Sequence, residues 1–193
     1  KLGKSILNID EGSFNDCTSL EEIKLPKSLE KLGGSIFAGC TSLKNVELED
    51  GGNFVIKDGV LLSADMKTLY FALPYAKLGN YTCPSEVETI NSLAFYNCPT
   101  LTGFNFSNKV KSIPQGMFVL CTGLKELNIP DSVTQIGSVI ITKSGVKSVK
   151  VIDKSAFIQS DGTNSKDLVL RVRAGSKAES FAKENSIKIE YIK

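Results

Sequence analysis

The thirteen residues from Phe14 to Pro26 read FNDCTSLEEIKLP, and from Phe37 the chain reads FAGCTSLKNVEL. The two stretches hold Phe, Cys and Leu, then an aliphatic-x-Leu triplet, in the same slots 23 residues apart. Ile9, Phe14, Cys17, Leu20, Ile23, Leu25 and Pro26 form the first copy, and Leu32, Phe37, Cys40, Leu43, Val46 and Leu48 the second. Another copy uses Ile90, Phe95, Cys98, Leu101, Phe104 and Phe106. One period later come Ile113, Phe118, Cys121, Leu124, Leu127, Ile129 and Pro130. Recurrence at this period constrains the fold more than any other feature, because units this short bury their apolar faces only against one another.

Local chemistry says what each unit does. In LEEIKL, Ile23 and Leu25 alternate with Lys24, the period of a half-buried strand. Pro26 and Pro130 lack an amide donor and end that strand. SLEKLG and SVTQIG then carry the chain back, ending at Gly33 and Gly137, which suit a tight corner. The Phe-x-x-Cys piece makes the last corner. Stacked copies place neighbouring strands about 4.8 Å apart in a parallel ladder. The expected fold is a repeat solenoid, mostly β, with short turns or 3-10 segments between strands.

Cys17, Cys40, Cys98 and Cys121 then form a structural column just inside the turn, as small apolar filler with a thiol in reach of a backbone carbonyl. Disulfides between adjacent turns stay open in principle, though an in-register column rarely offers the needed Cβ geometry. Zinc would want closely spaced Cys pairs or histidines, and neither is present. Cys83 falls in an inward Leu slot and reads as core.

The array is interrupted. Leu32 and Ile90 are 58 residues apart, 35 more than one period. Val60–Leu62 and Leu69–Phe71 flank the polar SADMKT, the pattern of a β-hairpin. Tyr81, Cys83 and Pro84 resume the template. After Ile136 the slots shorten through Ile141, Val146, Val149 and Val151, then restart at Ile152 and Phe157, and a polar loop spans Ser160 to Asp167. Ser176 and Glu179 make a capping box before a short amphipathic helix, a lid for the last open turn. These readings place repeats near 1–31, 32–53, 90–112, 113–135, 136–151 and 152–173, a hairpin insertion at 54–84 and a C-terminal cap at 174–193. KLGKSIL at the start echoes KLGGSIF at 31–37 and lacks signal-peptide character, so the expectation is a piece of a longer protein.

The 193 residues include no histidine and no tryptophan, and the net charge is +2. That balance builds no field for nucleic acid or anionic lipid, and no 18-residue apolar run spans a membrane. No nucleophile has an imidazole base, and the acidic neighbours Glu21–Glu22 and Glu49–Asp50 point apart in a strand or turn. No enzymatic activity, metal or cofactor is expected.

The motif A-F-x-x-C-x-x-L-x-x-(I/V/F)-x-(I/L)-P resembles the BspA-like leucine-rich repeats of bacterial surface proteins. SLAFYNCPTL and SIPQGMFVLCTGLKELNIPDSVTQIG carry the likeness most clearly. The hairpin stretch and the closing LVLRVRAGSKAESFAKENSIKIEYI are similar to units of that family too. Departures are Arg173 for the closing proline, Ile141 for Phe, and Lys143 or Ser144 for Cys. The resemblance implies a leucine-rich-repeat solenoid, exported to a bacterial cell surface, without catalytic residues. It also implies adhesion to a host matrix or surface protein, or to other cells.

Outward positions of the strand face give the candidate binding residues Glu22, Lys24, Asn45, Glu47, Asn105, Glu126, Asn128 and Lys150. The strip is polar, mixed in sign and free of the Trp, Tyr and Arg that anchor binding. A plain solvated face therefore competes with a contact role, and Asn105 with Asn128 could instead form an amide ladder. Tyr70, Phe71, Tyr75 and Tyr81 are the alternative contact cluster. The expected function is recognition of a protein or glycan by a monomeric module; the alternative is a spacer with no ligand of its own.

Overall fold

In this computed structural model residues 2–130, 132–136, 148–151, 169–184, 186 and 188–192 are described. Gly137, Ile141, Val146, Ile152, Phe157 and the Ser160–Asp167 loop, read above from sequence, lie outside the described residues. Each regular rung combines a two-residue strand with a longer one. The first has β1 (Asn8–Ile9) and β2 (Glu22–Leu25), the second β3 (Lys31–Leu32) and β4 (Asn45–Leu48). Then come β5 (Phe54–Lys57), β6 (Val60–Ser63), β7 (Thr68–Ala72) and β8 (Gly79–Thr82). The regular alternation resumes with β9 (Thr89–Ile90), β10 (Leu101–Asn105), β11 (Ser112–Ile113), β12 (Glu126–Ile129) and β13 (Gln135–Ile136). The chain closes with β14 (Ser148–Val151), β15 (Val169–Val172), helix α1 (Lys177–Glu184) and β16 (Lys188–Tyr191).

The period read from sequence is the register of the stack: Ile9 pairs with Leu32, Ile23 with Val46 and Ile113 with Ile136, all in parallel. The long strands of the first two rungs alternate exposed with buried residues, as β2 does with Glu22 out, Ile23 in, Lys24 out and Leu25 in. That alternation is why the strand forms: one face serves the core and the other water. The result is a leucine-rich-repeat-type β-solenoid with a single short helix among the described residues. Its corners are successive i to i+3 turns, for example Cys17 N–H to Phe14 O and Leu20 N–H to Cys17 O.

The corners are as periodic as the strands. Asp16, Gly39, Asn97 and Leu120 occupy equivalent sites with φ of 56°, 76°, 54° and 63°. Glycine suits such a site, whereas Leu120 adopts it at a steric cost of about 1–2 kcal/mol. Stacking offsets that cost through bonds between corners. Phe14 N–H donates to Ile36 O (3.1 Å) and Asp16 N–H to Ala38 O (2.8 Å). The same bonds join Phe95 to Met117 (3.0 Å) and Asn97 to Val119 (2.8 Å). Phenylalanine rings stack in the same sense, Phe14 on Phe37 at 5.7 Å and Phe95 on Phe118 at 6.0 Å.

The segment 54–84 holds more than the expected hairpin. β6 and β7 form it, but β5 also pairs antiparallel with β6 through a turn at Asp58–Gly59, giving a three-stranded meander. Both turn residues have positive φ, 51° and 76°, the requirement of a type I′ hairpin. β7 then pairs in parallel with β9, and β8 with β10, so this stretch supplies a rung of its own. Its corner, Leu73 to Leu78, lacks the Phe-x-x-Cys unit and is shorter than the others.

The meander divides the core. Leu61, Phe71 and Leu73 pack with Ile9, Phe37 and the other apolar residues of the first two rungs. Val60, Leu62 and Leu69 pack with Phe95, Phe118 and the rungs that follow. β6 is buried along Val60, Leu61 and Leu62, which is why it reads as an unbroken apolar run.

Candidate functional site

The long strands of the rungs carry the candidate residues on one lateral face. Glu22, Lys24, Asn45, Glu47, Asn105 and Asn128 are all exposed there. Glu126 stands in register with Ser148 and Asn128 with Lys150; the side chains of Glu126 and Lys150 lie outside the described residues. The face is not one sheet. β2 pairs with β4, β8 with β10, and β12 with β14, β15 and β16, and no strand hydrogen bonds join these three ladders. A single strip running from Lys24 to Lys150 is therefore interrupted twice, where the meander offsets the stack and again beyond β10.

Within each ladder, side chains one period apart meet. Lys24 Nζ lies 3.4 Å from a Glu47 carboxylate oxygen, and Asn45 Nδ2 donates to the other at 3.2 Å. Lys44 and Glu21 pair at 3.3 Å beside them. With both partners of each pair more than half exposed, these bridges stabilise by about 0–1 kcal/mol and mainly set the charge pattern. Glu22, Lys24, Asn45 and Glu47 also border a cavity of about 430 Å³ whose floor is Leu20 and Ile23. Asn105 is elsewhere. Its Nδ2 donates to Thr82 Oγ1 at 3.0 Å and lies 3.5 Å from Asn80 Oδ1, so its ladder partners are Thr82 and Asn80, one rung back. Asn80, Thr82, Arg171 and Glu190 were not read from the sequence as part of this face, although Arg171 Nε and Glu190 sit 3.4 Å apart on it. Counting back one period from Asn105 finds Thr82, and that signal was present.

The aromatic alternative splits. Phe71 and Tyr81 are core residues, Tyr81 lying against Phe95 and Phe104 with ring centroids 5.6 and 5.8 Å away. The Tyr81 hydroxyl is buried without a hydrogen-bond partner, and burial drives its proton affinity up. Tyr70 is half-buried against Phe54. Tyr75 is exposed, and its hydroxyl accepts the Val46 N–H at 3.1 Å.

The cysteines behave as turn filler wherever a preceding rung covers them. Cys40 Sγ donates to Phe14 O at 3.0 Å and Cys121 Sγ to Phe95 O at 2.9 Å, the same bond one corner apart. Cys98 Sγ points to Tyr96 O at 3.7 Å. All five cysteines are free thiols. Cys17 departs from the expected buried column. It lies in the first described corner and is exposed. Burial pushes the Cys40 thiol up and the Cys83 thiol to about 12, which suppresses the reactive thiolate. Among the described residues no cluster of three or more Cys, Asp or Glu could hold a metal ion. No helix among them is long and apolar enough to cross a membrane.

The C-terminal lid is held by one carboxylate. The Glu179 N–H donates to Ser176 Oγ at 3.1 Å, while the Glu179 carboxylate accepts from Gly175 N–H and, at 2.7 Å, from the Tyr191 hydroxyl. Lys183 Nζ lies 2.6 Å from it. Lys183, Tyr191 and the Gly175 amide together hold this carboxyl at about 2.

Three solved structures share this architecture. A leucine-rich repeat protein from Eubacterium ventriosum superposes with a TM-score of 0.67 at 21% identity, over 80% of this chain and 43% of its own. The pneumococcal vaccine antigen PcpA gives 0.65 at 22% identity, over 98% and 60%. A leucine rich cell surface protein from Faecalibacterium prausnitzii gives 0.65 at 21%, over 96% and 55%. At these identities the likeness speaks for the fold alone, and the chain spans about half the length of these relatives. No curated protein matches it. The model of the BspA type leucine rich repeat region matches in six copies, over residues 1–72 and 72–166. The chain belongs to the BspA-type leucine-rich-repeat family.

Proposed function

We propose that this chain is a non-enzymatic binding module of a bacterial cell-surface protein, holding a protein or glycan partner on its lateral strand face. The observation that carries the reading is the set of exposed side chains Lys24, Glu47, Thr82, Asn105 and Asn128, spread over three ladders, none of which the core uses. Their backbones are fixed by ladders that neighbouring rungs hold in register, so a partner meets a preformed surface and little ordering entropy opposes binding. Recognition on such a face sums several weak polar contacts. That one similar structure is a cell surface protein and another a vaccine antigen supports an extracellular setting. A host matrix or surface protein, or a glycan, is the partner class of this reading.

The competing role as a spacer has an observation of its own. Lys24 and Glu47 satisfy each other, and Asn105 is satisfied by Thr82, so the face needs no ligand to settle its polar groups. Binding assays on immobilised matrix proteins, mucins and glycans separate the two, using alanine variants at Lys24, Glu47, Asn105, Asn128 and Lys150. A ligand whose binding falls as these positions are removed supports the module. Binding that survives every change, or no binding at all, removes the face from function.

A further inference from the structure

Where the third rung's corner is short, the stack carries a notch of about 300 Å³, bordered by Phe37, Gly39, Cys40, Tyr75, Tyr96 and Pro99. In complete pairs of corners, N–H groups two residues apart in one corner donate to carbonyls in the next: Phe14 to Ile36 and Asp16 to Ala38, Phe95 to Met117 and Asn97 to Val119. The equivalent donors facing the notch are Phe37 and Gly39, and neither N–H has a hydrogen-bond partner. The equivalent acceptors across it are the carbonyls of Ala94 and Tyr96. Ala72 N–H takes the first at 2.7 Å, and the second meets only the distant Cys98 thiol. The lateral ladder is open beside the same notch. Glu49 N–H of the second rung donates back to Leu25 O, so alternation turns Val46 N–H the other way, where no strand follows β4. The Tyr75 hydroxyl occupies the place of the absent strand's carbonyl.

We propose that this notch seats a peptide segment of a partner protein, bound main chain to main chain in the part of the missing corner beyond Ser35, whose hydroxyl already joins the two walls by donating to Leu93 O at 3.0 Å. Two donors in the spacing of alternate residues on one wall, and an acceptor on the other, are complementary to a polypeptide, whose carbonyls and amides alternate at that spacing. Main-chain bonds of this kind provide affinity in strand addition generally, with side-chain pockets selecting the sequence. Here the pocket lies beside the Phe37 and Phe71 rings, in contact at 5.8 Å, where an apolar side chain of the guest would rest. The site is separate from the lateral face, so it stands or falls independently of the function proposed above.

The probe is a blocked synthetic peptide copying this chain's own corner, Ser92–Leu101, kept reduced and added to the isotope-labelled chain. In the free protein, Phe37 and Gly39 amides exchange with solvent faster than those of Phe14 and Phe95. Saturating peptide slows them by about tenfold or more and shifts the signals of Phe37, Gly39 and Tyr96. Thr41→Trp, an exposed position at the notch, abolishes these shifts, while Lys24→Ala and Glu47→Ala leave them intact. The proposal is overturned if Phe37 and Gly39 are already as protected as Phe14 and Phe95. It is overturned equally if millimolar peptide gives no saturable shifts, if a scrambled peptide gives the same ones, or if they centre on another surface.

Discussion

Cys17 and Cys121 occupy the same slot of the same motif, yet one is exposed and the other buried with its thiol bonded to the preceding corner. The contrast runs through the two halves of the molecule. From Ile90 to Pro130 the described corners stack in full register, and Phe118 and Leu124 have no exposure at all. In the first rung Phe14 and Leu20 are only half-buried. Consensus residues therefore specify which side of the backbone faces inward, and the neighbouring rung decides how much that inward position contributes.

The largest expected effect follows from this contrast. Phe118→Ala removes a ring with no exposure and costs about 3–5 kcal/mol, whereas Phe14→Ala at the equivalent slot costs about half that or less, as read by urea unfolding. Equal costs would break the comparison. Next comes a pair of glycines. A Cβ on Gly123 would lie 2.3 Å from Pro99 O and 2.8 Å from Leu101 O, backbone that must move. Gly123→Ala therefore destabilises by about 1–3 kcal/mol. A Cβ on Gly3 meets nothing nearer than 4.0 Å, so Gly3→Ala stays within about 0.5 kcal/mol of the parent.

Tyr81 sharpens the contrast from the other direction. Its buried, unpartnered hydroxyl lowers stability, so Tyr81→Phe raises it by about 1 kcal/mol, visible as a higher melting temperature. A fall instead would mean that the hydroxyl is satisfied. The smallest effect is at the lid. Glu179 is held at about 2 against an ordinary 4.5. A depressed carboxyl contributes stability that is complete above the ordinary value and lost as pH falls from there towards 2. Amide exchange in α1 should accelerate across that window, and Glu179→Gln should flatten the dependence.

Much of this was legible in the sequence because a solenoid makes residues one period apart into neighbours. That rule places Ile23 beside Val46 and Phe14 beside Phe37. Applied to charges it also finds Lys24 with Glu47 and Lys44 with Glu21, which residue type alone does not. The third rung was hidden because ALPYAKL offers neither Phe nor Cys to align, and its membership depends on backbone pairing of β7 with β9 and of β8 with β10. The Asp58–Gly59 dipeptide did announce the extra hairpin through its need for positive φ. The breaks in the lateral face were not legible. They come from how the meander offsets the ladders, and no single residue encodes that.

Thiol labelling of the native chain, resolved by peptide mass, reads the stacking of the corners cysteine by cysteine. Cys17 is expected to react at close to the rate of an unfolded control, while Cys40, Cys83, Cys98 and Cys121 react only through unfolding. Labelling of Cys40, Cys98 and Cys121 as fast as Cys17 would contradict a stacked core with sulfur inside its corners.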